Sequence, residues 1–62
     1  MAKSSREVIK LLESNGWVLS HVRGSHHYFK KEGFSKPITV PHPKKDIPIG
    51  TYHAILKQAG LE

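Results

Sequence analysis

Sixty-two residues make one domain, residues 1–62, and a chain this short buries only about 60% of the surface its unfolded form exposes, so its core is thin. With no cysteine, neither disulfides nor thiolate zinc can supplement that core, and a reducing compartment is the natural setting. Ten Lys and Arg against five Asp and Glu, a formal charge of +5, direct attention to polyanionic partners and above all nucleic acid, although the same charge also keeps a protein soluble.

The chain opens on Met-Ala-Lys-Ser-Ser-Arg, without the apolar stretch of a signal peptide. Ser4 followed by Glu7 reads as a capping box, each side chain satisfying a backbone donor at a helix start. Val8, Leu11 and Leu12 then fall at i, i+3 and i+4, with Ile9 widening the stripe, which predicts an amphipathic helix running to about Ser14. Asn15-Gly16 ends it, Gly16 suiting the left-handed position beyond a helix terminus. From Trp17 the period changes to two, and Trp17 to Val22 reads as a first strand. Arg23-Gly24-Ser25 makes a turn, His26 to Lys30 a second strand, Glu32-Gly33 another turn, and Ile38-Thr39-Val40 a short third strand. Pro41 and Pro43 remove ladder donors, so the ladder is expected to stop before them. Pro48 fits a first helical turn, and Tyr52, Ile55, Leu56 and Ala59 trace one face of a helix over about 48–59, ended by Gly60.

The order helix, strand, strand, strand, helix predicts an α+β domain, a three-stranded antiparallel sheet with two helices on one face and the other face wet. No apolar run approaches the roughly 20 residues of a membrane span. A soluble, cytoplasmic protein without membrane contact is expected.

Five histidines stand out: His21, His26, His27, His42 and His53. A zinc site needs three or four ligands, yet a helical i, i+4 pair is missing and the adjacent His26 and His27 point to opposite faces of a strand, so no metal is expected. His21 and His53 read as partly exposed structural residues. Phe29, with no hydroxyl to satisfy, is the better core residue than Tyr28, which puts His27 on the covered side and leaves His26 on the wet one. A free imidazole, ordinarily titrating near pH 6.5, can move protons at neutral pH and, beside lysines, serve RNA cleavage by activating a 2′-hydroxyl or protonating a leaving oxygen. An ordinary exposed histidine fits the same pattern.

Gly16-Trp17, Arg23-Gly24-Ser25-His26-His27-Tyr28-Phe29, Val40-Pro41-His42-Pro43, Gly50-Thr51 and Ile55-Leu56-Lys57-Gln58-Ala59-Gly60-Leu61 occur in that order. This set, spanning nearly the whole chain, resembles the HicA-type toxins. The resemblance implies a fold similar to the double-stranded RNA-binding domain. It also implies an mRNA interferase, a small metal-independent endoribonuclease that halts translation, needs no cofactor, and is neutralised by a HicB-type antitoxin covering its active site. The family histidine follows the Gly-Ser pair; carried onto this chain it is His26, with His27 as second choice. His42 also matches the family pattern, and a rigid loop position explains it as well as a catalytic one. Gly24 serves either a close phosphate approach or an ordinary turn, and Ser25 either phosphate or the turn. Arg23, Lys30, Lys44 and Lys45, with Lys31, form a candidate RNA track. No carboxylate partner for the histidine is evident. A non-catalytic RNA-binding module, holding structured RNA by shape, fits the same basic surface.

Overall fold

The computed structural model describes residues 3–62. Helix α1 (Ser5–Ser14) starts at the expected capping box: the Glu7 amide donates to Ser4 Oγ at 3.2 Å and the Ser4 amide to Glu7 Oε1 at 3.1 Å. Strands β1 (Val18–Arg23), β2 (His26–Lys30) and β3 (Ile38–Pro41) follow, then helix α2 (Ile49–Gln58). Both strand pairs are antiparallel in the order β1-β2-β3, a meander. This is the α-β-β-β-α arrangement of the double-stranded RNA-binding domain.

The core lies on one face of the sheet. Val8 and Leu12 of α1, Ile55 of α2 and Ala59 just past its end close over Phe29, Ile38 and Val40, with Trp17 and Ile47 in the same core. Phe29 and Ile38 are cross-strand partners, as are His27 and Val40, so alternate residues of β2 and β3 share the helix side. No helix among the described residues is long and apolar enough to cross a membrane.

Three details differ from the sequence expectation. Pro48 is the residue before the helix, with φ −52° and ψ 143° and no side-chain cap, so α2 begins at Ile49. The third strand runs one residue further, Pro41 pairing with His26; an edge strand tolerates this because a missing donor on its outer side breaks no ladder. The third concerns β1. Its register slips between Leu19, opposite Phe29, and His21, opposite Tyr28, leaving Ser20 as a bulge. Leu19 and Val22 therefore face the helix side but stay 46% and 47% exposed, because both helices pack against β3.

What holds α1 over β3 is the strap between β3 and α2. The Ser5 amide donates to the Lys44 carbonyl at 2.8 Å and the Ile47 amide to the Lys3 carbonyl at 2.7 Å. Residues 42–47 are thereby sewn along the start of α1, and Ile47 is fully buried beneath it.

Candidate active site

The β1–β2 turn, the strap and the first turn of α1 meet at one end of the sheet. Gly24 makes the turn with φ +58° and nothing within 4 Å of where a Cβ would stand. After it, strand alternation separates the two histidines. His26 is exposed on the open face, opposite Arg23 on one side and Pro41 on the other. His27 is half-buried on the helix side, opposite Val22 and Val40, and its Nδ1 is shut from water without a hydrogen-bond partner.

The strap brings a third imidazole to His27. The His42 amide donates to the Ser25 carbonyl at 2.8 Å, tying the strap to the turn, and the His42 ring stands 4.8 Å from that of His27 at 88°, edge to face. The His42–Pro43 peptide is cis. On its other side His42 Nδ1 lies 2.6 Å from the hydroxyl of Ser5, a polar residue only 2% exposed. That hydroxyl oxygen also accepts the Lys44 amide at 2.9 Å. Arg6, Lys44 and Lys45 line the open groove beside His42, and no carboxylate is among its lining residues.

The sequence-derived set is thus divided between two faces. Ser25, His27, Lys44 and Lys45 gather around the strap, whereas Arg23, His26 and Lys30 lie on the open face, Lys30 at the end of β2 remote from the turn. Lys31 is elsewhere, its Nζ 5.5 Å over the Phe34 ring and its stem against Gly16. His21 stacks on Tyr28, centroids 4.3 Å apart and 6° from parallel, and His53 Nδ1 pairs with the Glu62 carboxylate. Among the described residues no three potential ligands stand close enough to hold a metal ion. Glu7 is occupied at the helix cap; the Ser4 backbone amide, then its hydroxyl, holds that carboxyl below its ordinary value of 4.5.

Sequence reasoning did not find Ser5 or Arg6. Ser4-Ser5 reads as a cap, and one serine suffices for that role; the only hint of a second function is a small hydroxyl where α1 begins to present its buried side.

Comparison with known proteins places the fold in a family. Residues 5–61 match the family described as HicA toxin of bacterial toxin-antitoxin. A solved structure described as a toxin-antitoxin complex from Streptococcus pneumoniae contains a chain 37% identical to this one, with 94% of this chain and 97% of that chain covered and a TM-score of 0.81. No curated protein matches the chain. Since the family match takes in α1, the turn, the strap and α2 together, the chain belongs to the HicA family of toxins from bacterial toxin-antitoxin systems.

Proposed function

We propose that this toxin is a metal-independent endoribonuclease that cleaves mRNA in the cytoplasm and so blocks translation, and that a HicB-type antitoxin neutralises it by covering the strap end of the sheet. The observation that carries this reading is an imidazole pair, His27 and His42, half-buried beside a groove lined by Arg6, Lys44 and Lys45. Cations bind and orient the phosphodiester, and an imidazole moves the proton. The step balances without a metal: the 2′-hydroxyl oxygen bonds to phosphorus as its proton leaves to a base. The P–O5′ bond then breaks with its electron pair on the 5′ oxygen, which takes up a proton. A 2′,3′-cyclic phosphate and a 5′-hydroxyl end result.

Either neighbour in the Gly24-Ser25-His26-His27 step can supply the proton-transfer group. His26 is the freer ring and has Arg23 across the ladder. The surroundings favour His27: it is partly withdrawn from water, packed on a second imidazole, and on the same side as the strap lysines. Arg23, Gly24, Ser25 and Lys30 would then guide the strand round the turn rather than touch the reacting phosphate.

His26→Ala and His27→Ala, each assayed on purified RNA and in growing cells, decide it. Removing one general acid or base costs typically about 10²- to 10⁴-fold. We expect that loss in His27→Ala, with His26→Ala within about tenfold of the parent. The reverse pattern returns the role to His26, and RNA that is bound but never cut by the parent protein leaves a non-catalytic RNA-binding module.

A further inference from the structure

His42 is oriented more tightly than a loop residue requires, and its partner leaves one proton arrangement. Ser5 has a single hydroxyl hydrogen. Its oxygen already accepts the Lys44 amide at 2.9 Å, and its own amide is spent on the Lys44 carbonyl at 2.8 Å. Ser5 is only 2% exposed, and among the described residues the one acceptor left within bonding reach of that hydrogen is His42 Nδ1, at 2.6 Å. The hydroxyl therefore donates and Nδ1 accepts. A neutral imidazole whose Nδ1 is an acceptor carries its hydrogen on Nε2.

That Nε2 is open. The buried side-chain nitrogens and oxygens without partners among the described residues are Trp17 Nε1 and His27 Nδ1, and His42 Nε2 is neither of these nor bonded to any described residue. It belongs to a ring lining the groove with Arg6, Lys44 and Lys45, next to the ring of His27. A ring whose two nitrogens are assigned in this way has no vacant lone pair to act as a base.

We infer that His42 is a hydrogen-bond donor to the scissile phosphate through Nε2–H, with Ser5 as the positioning residue that fixes its tautomer. As the 2′ oxygen bonds to phosphorus, negative charge grows on the non-bridging oxygens, and a donor already aimed at them stabilises the transition state more than the substrate. The inference rests on the ribonuclease reading above and adds a division of labour to it: His27 moves protons, His42 holds charge. The backbone bond from His42 to the Ser25 carbonyl keeps the two rings in register with the turn.

The tautomer is read by ¹⁵N-detected NMR of the intact protein, independently of any activity. We expect the neutral His42 ring to carry its hydrogen on Nε2 with Nδ1 bare, and Ser5→Ala to shift the ring to a mixture of tautomers. A ring protonated on Nδ1 in the parent overturns the inference. The role is read by cleavage. His42→Ala is expected to lose about 10²- to 10³-fold, the usual cost of one such donor. His42→Gln retains an N–H near the Nε2 position and should recover at least tenfold of that loss. A fully active His42→Ala, or a His42→Gln no better than Ala, overturns the donor role. A parent protein that cuts no RNA overturns the ribonuclease reading instead, and in that case a 2′-O-methyl RNA oligonucleotide that binds without moving the His42 Nε2–H resonance overturns phosphate contact as well.

Discussion

Gly24 illustrates how one residue can be read for backbone or for ligand. Its φ of +58° lies in the left-handed region, and a Cβ there would meet nothing within 4 Å. Space is thus available and only conformation is strained, which for an L residue costs about 1–2 kcal/mol. We expect Gly24→Ala to lower the free energy of unfolding in urea by about 1 kcal/mol while leaving cleavage at saturating RNA near the parent rate. A large fall in cleavage with stability intact would instead mean that the phosphate passes over Gly24. The histidines next to it were separable from sequence, because strand alternation alone sends His26 and His27 to opposite faces. His27's neighbour was not. Pro41-His42-Pro43 has no period from which a direction can be inferred, and the bond that orients His42 comes from Ser5, on an element at the other end of the chain.

At the scale of elements, α1 is the part whose boundaries were most legible, since its start is written in side-chain chemistry. Ser4 and Glu7 satisfy each other's backbone donors, and Ser4→Ala should destabilise the protein by about 1 kcal/mol in chemical denaturation. Glu7 adds a pH dependence. Its carboxyl is held below the ordinary 4.5 by the Ser4 amide and hydroxyl, so the folded state binds the proton less readily than the unfolded one. The contribution is complete above pH 4.5 and disappears as pH falls through the lowered folded value. Glu7→Gln should accordingly lower the urea midpoint at pH 7, and the gap between parent and variant should narrow as the pH is taken below 4.5. The start of α2 offers no such signal, because Pro48 caps nothing, and its onset was placed one residue early. The path of β1 was legible as a strand but not in its surroundings. Ser20 bulges out of register, and Leu19 and Val22 go uncovered since the strap draws the helices toward β3. Periodicity carries neither piece of information, as it reports which residues share a face and is silent on what covers that face.

For the molecule as a whole, charge and topology act together. Ten basic residues are distributed along the chain, and Arg6, Lys44 and Lys45 are those that line the groove beside His42, whose ring packs on that of His27. Lys44 and Lys45 are exposed, and so is Lys57 in the last turn of α2. If the first two neutralise phosphates, each releases counterions from the RNA, and the slope of log affinity against log salt changes by about 0.7 per contact for a single strand. Binding of a 2′-O-methyl RNA oligonucleotide, which lacks the attacking hydroxyl, isolates this from cleavage. The double variant Lys44→Ala, Lys45→Ala is expected to bind more weakly whatever the RNA sequence, with a salt slope shallower by about 1.4. Lys57→Ala, equal in charge removed per residue but distant along the fold, should leave the slope where it was. Equal losses from all three lysines would mean that net charge alone attracts the RNA, and the groove beside His42 would then have no claim to the substrate.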